Sequence, residues 1–129
     1  MNGPTLRILL VEDDGDSAET LAVLLRIYGH EVQVARDGPT ALRLAADQPP
    51  DVGLLDLGLP GGMDGYEVAR RLREQEADKQ PHLIAVTGYG RDEDRRRSEE
   101  GGIHLHLLKP VDGEALNRLL QRFQAVIAR

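Results

Sequence analysis

Four apolar runs in this chain end in polar groups that suit one reaction. Glu12, Asp13 and Asp14 follow residues 6–11, and Asp56 follows residues 52–55. Thr87 and Gly88 follow residues 82–86, and Lys109 and Pro110 follow residues 103–108. Carboxylates brought together repel and raise one another's pKa. A hard divalent cation relieves that repulsion, and an all-oxygen site with few protein ligands suits Mg²⁺. A carboxylate can accept a phosphoryl group. A metal, an ammonium and a hydroxyl can then hold the transferring oxygens. Asp56 ends an apolar run alone and is the expected nucleophile. Lys109 is its counter-charge, and Thr87 donates to a phosphoryl oxygen. One acidic residue after a strand is commonly a turn or helix cap. Only the coincidence at four strand ends gives the chemical reading its weight.

Bringing those ends together requires a particular frame. Five apolar runs, at residues 6–11, 31–35, 52–55, 82–86 and 103–108, alternate with amphipathic stretches. The first, third and fourth are too apolar for a half-wet strand and read as central strands of a parallel sheet. The second and fifth carry Glu31, Gln33, His104 and His106 at alternate positions and read as edges. Ala18, Leu21, Ala22, Leu25 and their neighbours form a helical face that stops at Gly29. Further helices are expected at 38–46, from about Gly65, and from about Asp112, which is a candidate N-cap. Such alternation implies an α/β three-layer sandwich. In such sheets ligands bind outside the carboxyl ends of the strands, where all the polar groups above sit. Residues 91–100 should form a helix by position in the pattern. They hold no apolar side chain, so that helix should be the least stable element.

Composition narrows the function. The 129 residues are 40% hydrophobic and 29% charged, the balance of one globular domain. No run approaches the roughly 18 apolar residues of a membrane span, and residues 1–5 do not begin a signal peptide. Absence of cysteine excludes disulfides and thiol chemistry. A net charge of -6 argues against direct nucleic-acid binding, and Arg95, Arg96 and Arg97 lie among acidic residues as a solvated face. The expected setting is the cytoplasm.

The motifs together resemble the receiver domains of two-component response regulators and hybrid histidine kinases. The segments are Ile8 to Asp14, Leu54 to Pro60, Met63 to Glu67, Val86-Thr87-Gly88 and Leu108-Lys109-Pro110. They stand in the family's order, and the likeness runs from about Leu6 to Ile127. The resemblance implies a flavodoxin-like fold with a five-stranded parallel sheet of order 2-1-3-4-5. It implies a phosphorelay in which Asp56 accepts a phosphoryl group from a sensor histidine kinase or histidine phosphotransfer domain. The domain would catalyse its own phosphorylation and its own slow dephosphorylation. Mg²⁺ would be held by Asp13, Asp56 and the Gly58 backbone carbonyl, with Glu12 acting through water. Thr87 and His106 would be the switch pair, and the Lys109–Pro110 bond would be cis. A downstream partner would dock on the face made by the 91–100 helix, the fifth strand and the last helix. No output domain is expected after the last helix. The domain either stands alone or belongs to a hybrid kinase, which could place it at the cytoplasmic face of a membrane.

Three departures from the family pattern stand out. The loop Leu59 to Gly65 has one extra glycine, at Gly61-Gly62, and should be looser. His106 stands where Tyr or Phe is common, and its charge can change near neutral pH. The 91–100 segment lacks the usual small apolar residues. His104 and His106 are read as half-exposed strand residues rather than a metal pair, Met63 as packing, and Asp14, one residue further into the turn than Asp13, is assigned no partner. Two other classes fit less well. A Mg²⁺-dependent phosphohydrolase would need a second aspartate where Gly58 stands. A flavin or nucleotide module would need a phosphate loop where Glu12-Asp13-Asp14 stands. A degenerate receiver, serving only as a binding platform, is opposed by the full set of site side chains.

Overall fold

The computed structural model describes residues 4–76, 78–88, 102–103 and 105–127. The expected helix at 91–100, together with Tyr89, Gly90 and His104, lies outside the described residues. Elsewhere strands and helices alternate as β1 (Arg7–Val11), α1 (Gly15–Ile27), β2 (Glu31–Ala35), α2 (Gly38–Asp47) and β3 (Val52–Asp56). They continue as α3 (Gly65–Gln75), β4 (His82–Thr87), β5 (Leu105–Leu108) and α4 (Gly113–Val126). The strands are all parallel in the order β2-β1-β3-β4-β5, so the two polar-alternating runs are the edges.

Strand alternation divides the core into two layers. Leu9, Val11, Leu55, Leu83 and Ala85 face one side of the sheet and pack with Ala41 and Ala45 of α2 and Val68, Ala69 and Leu72 of α3. Ile8, Leu10, Val52, Leu54 and Ile84 face the other side and meet Ala18, Ala22 and Leu25 of α1 and Leu116 and Leu120 of α4. A period of two on strands buried on both faces forces this split.

The helices begin and end where their local chemistry dictates. Asp37, Asp64 and Asp112 cap α2, α3 and α4 by accepting from amides of the first turn. Gly29, at φ 96°, takes the left-handed position just past α1. Met63 is indeed a packing residue. It covers the start of α2 so closely that a Cβ on Gly38 would lie 2.5 Å from its sulfur. Gly61 has φ 89°, and neither it nor Gly62 has an atom within 4 Å of where a Cβ would stand.

The end of the sheet away from the strand carboxyl termini is tied together by side chains. Asp51, whose carboxylate is fully buried, accepts from the Arg7 amide at 2.8 Å and pairs with Lys79 at 3.2 Å. Its own backbone bonds Arg7 O and the His82 amide, so one residue links the starts of β1, β3 and β4. His30 accepts from the Leu6 amide at 3.3 Å, and His82 stacks on Phe123 of α4. Gln124 donates to Pro4 O at 2.9 Å, which fixes the end of α4 against the segment entering β1.

Candidate functional site at the strand carboxyl ends

β1 and β3 are neighbours, so their carboxyl ends put Glu12, Asp13 and Asp56 in one place. Ligand oxygens of these three carboxylates all lie within 4.8 Å of one another. Lys109 reaches in from beyond β5. Its ammonium lies 3.1 Å from Glu12 Oε1 and 3.2 Å from Asp56 Oδ2, although it is 97 and 53 residues away from them in sequence. The Lys109 amide donates to Thr87 O at 2.9 Å, which ties the lysine loop to the end of β4. The Lys109–Pro110 bond is cis, as the motif implied.

Each carboxylate is held differently. Asp56 is buried and accepts from the Gly58 amide at 2.9 Å. Glu12 is buried too, its amide bonded to Ala35 O and its carboxylate accepting from the Asp14 amide. Asp13 is half-buried at the mouth of the cluster. Asp14 does have a partner: Ser17 Oγ donates to it at 2.7 Å, so it serves the first turn of α1. Gly58 lies in the turn directly after Asp56, and Thr87 is buried at the end of β4.

The electrostatics reflect crowding. Burial pushes the Glu12 carboxyl up, the neighbouring Asp56 adds to this, and Lys109 only partly opposes them, leaving it at about 7. Burial also acts on Asp56. It is outweighed by hydrogen bonding with Glu12 and the Gly58 amide and by the Lys109 charge, so Asp56 sits below the ordinary carboxylate range. Lys109 is desolvated as well, yet its two acidic partners raise it. One ammonium among three acidic groups leaves Glu12 holding a proton near neutrality. A hard cation would displace that proton, so the donor set fits Mg²⁺.

The switch candidates occupy related places. Thr87 pairs with Leu108 and Ala85 with His106 across β4 and β5. Registered positions in neighbouring strands face the same side, so His106 shares the Thr87 face of the sheet. A groove of about 590 Å³ opens from the cluster along α1, lined by Glu12, Ser17, Leu21, Leu24, Lys109 and Pro110, among others. Arg36 was not among the residues singled out from sequence. It follows the carboxyl end of β2 and donates to the Asp13 backbone carbonyl. The strand-end rule that picked out Asp56 and Lys109 applies equally to β2 and would have drawn attention to it.

Residues 8–121 match the family model of the response regulator receiver domain. The response regulator PleD of Caulobacter vibrioides is 38% identical over 124 residues, covering 94% of this chain and 27% of PleD, so the chain spans about a quarter of that relative. Protein PilH of Pseudomonas aeruginosa is 33% identical over 95% of this chain and 98% of its own length. The solved receiver domain of the Pseudomonas aeruginosa sensor histidine kinase PA1611, with magnesium coordinated in its active-site cleft, superposes with a TM-score of 0.83. It is 34% identical, over 95% of this chain and 99% of that one. With the strand order, the match over nearly the whole chain and these relatives in agreement, the chain belongs to the response regulator receiver domain family of two-component systems.

Proposed function

We propose that Asp56 is the phosphoacceptor of this receiver domain. The donor is a phosphohistidine on a sensor histidine kinase or histidine phosphotransfer domain. The observation that carries this reading is Lys109 bridging Asp56 and Glu12 from the far side of the sheet. An Asp56 carboxylate held below its usual pKa stays ionised and nucleophilic. An Asp56 oxygen forms the new bond to phosphorus as the bond to the donor nitrogen breaks. Lys109 offsets charge on the phosphoryl oxygens, and Thr87 donates a hydrogen bond to one of them. Asp13, Asp56 and the Gly58 carbonyl would hold Mg²⁺, with Glu12 acting through water. The ion supplies charge neutralisation for the incoming phosphoryl group. The domain thus speeds its own phosphorylation and its own slow dephosphorylation without being a conventional enzyme.

Thr87 and His106 form the switch that reads the phosphoryl group, an assignment supported by their common face of the sheet. A downstream partner docks on the face made by β5 and α4. In support, Leu105 and Leu108 are exposed on the β5 edge. The acidic balance of the chain disfavours nucleic acid as that partner. No described helix is long and apolar enough to cross a membrane. The domain works in the cytoplasm, alone or within a larger regulator or hybrid kinase.

The test is mass measurement after treatment with acetyl phosphate and Mg²⁺. Wild type should gain one acid-labile phosphoryl group, and Asp56→Asn should gain none. Full labelling of Asp56→Asn would overturn the assignment.

A further inference from the structure

Asp13 projects from a loop, and a loop does not by itself aim a carboxylate. Something must fix the Asp13 backbone. α1 begins at Gly15, and the bonds of its N-cap Asp14 are all local: its carboxylate accepts from Ser17, its carbonyl from the Ala18 amide, and its amide donates to Glu12. The constraint comes from β2 instead. Ala35 pairs with Val11, and Ala35 O accepts from the Glu12 amide, so the strands run together up to the loop. Arg36 then leans across. Its Nε and Nη2 lie 2.9 Å and 2.5 Å from the Asp13 carbonyl oxygen. A Cβ on Gly15 would stand 3.1 Å from Nη1 and 3.3 Å from Nη2, so the guanidinium lies directly over the Gly15 backbone. The missing side chain at Gly15 gives the planar head its seat.

We infer that Arg36 is a positioning residue for Mg²⁺ binding: its two-pronged grip on the Asp13 carbonyl holds the loop that aims the Asp13 carboxylate. This rests on the reading of Asp13 as a metal ligand. The fork gives two donors to one oxygen from a rigid plane, which a lysine cannot reproduce. The carbonyl belongs to the peptide unit that leaves the Asp13 Cα, so fixing its plane restrains the Asp13 side chain. Partners of this kind, one step removed from a metal, typically change affinity by about ten- to a hundredfold when removed.

Charge alone predicts the opposite sign. A cationic guanidinium beside the loop repels a second cation, so its removal would tighten Mg²⁺ binding. If Arg36 acts as a positioning residue, its removal weakens binding.

The experiment is Mg²⁺ titration by calorimetry, or by amide chemical shifts, on wild type, Arg36→Ala, Arg36→Lys and Asp13→Asn. Arg36→Ala should raise the dissociation constant about tenfold. Arg36→Lys, which keeps the repelling charge and loses the fork, should bind at least as weakly as Arg36→Ala. In metal-free buffer the Asp14 and Gly15 amides should exchange faster in Arg36→Ala. At saturating Mg²⁺ the rate of labelling by acetyl phosphate should return close to wild type. An unchanged or smaller dissociation constant in Arg36→Ala, with Asp13→Asn weakened, would overturn the Arg36 assignment alone. Unchanged binding in Asp13→Asn would overturn the metal-ligand reading and this inference with it.

Discussion

Gly65 presses on Asp56 so closely that a Cβ at Gly65 would stand 2.4 Å from the Asp56 carbonyl oxygen. The same Cβ would lie 2.7 Å from Leu57 Cα. The first residue of α3 is therefore seated on the backbone of the proposed phosphoacceptor, and the Gly65 amide donates to Leu57 O. Backbone cannot turn aside as a side chain can. Gly65→Ala should lower stability by about 1–3 kcal/mol, as overpacking does, and should slow labelling of Asp56. Urea denaturation and the acetyl phosphate assay check both. Wild-type stability and labelling would show that α3 can lift off without consequence.

Asp51 gives a prediction at the opposite end of the sheet. Its buried carboxylate satisfies the Arg7 amide and Lys79. Asp51→Ala leaves the amide and the ammonium without it and should cost about 3 kcal/mol. Asp51→Asn, whose side-chain oxygen can still accept from Arg7, should cost less. Neither change should alter Mg²⁺ affinity, because both lie away from the strand carboxyl ends. Denaturant midpoints and Mg²⁺ titration separate the two effects.

His30 should make stability fall in mild acid. Burial pushes its pKa below the ordinary histidine value, and its Nδ1 accepts from the Leu6 amide, which a protonated ring cannot do. The unfolded chain therefore binds the proton more readily than the folded one. His30 contributes stability that is fully present above the unfolded value of about 6.5 and is lost as pH falls through and below it. His30→Asn keeps an acceptor without a titrating ring. The stability difference between wild type and this variant should shift against wild type between about pH 7 and pH 5. A constant difference over that range would rule out His30 as the source.

Coupling between Thr87 and His106 can be observed directly. Beryllofluoride with Mg²⁺ mimics the phosphoryl group and should move the His106 ring resonances in wild type. Thr87→Ala should largely remove that movement while leaving Mg²⁺ binding intact. Movement of equal size in the variant would mean that His106 is reached by another route.

The sequence made the frame legible because strand burial leaves a direct trace. β1, β3 and β4 are apolar at nearly every position, and Glu31, Gln33 and His106 mark the edges. Asp56, Thr87 and Lys109 were visible for the same reason: each interrupts an apolar run at its carboxyl end. His30 and Asp51 were not, and Arg36 was passed over although it too follows the carboxyl end of a strand. Their partners are backbone groups of another strand or of the loop that follows it. The pairing of Val11 with Ala35 and of Ile8 with Val52, on which those bonds depend, cannot be read from local composition.

The bond from Gln124 to Pro4 has a consequence for anything joined to this domain. It brings the entry to β1 and the exit from α4 to one corner, at the start of the strands. From there to Asp56 is a strand's length, about 3.3 Å per residue over the five residues of β3. A polypeptide continuing beyond either of these segments would start from that shared anchorage, on the floor opposite the proposed phosphoryl site. A module tethered there by a short linker is held away from Asp56. It would sense the modification through the body of the domain, or would need a tether long enough to climb its side.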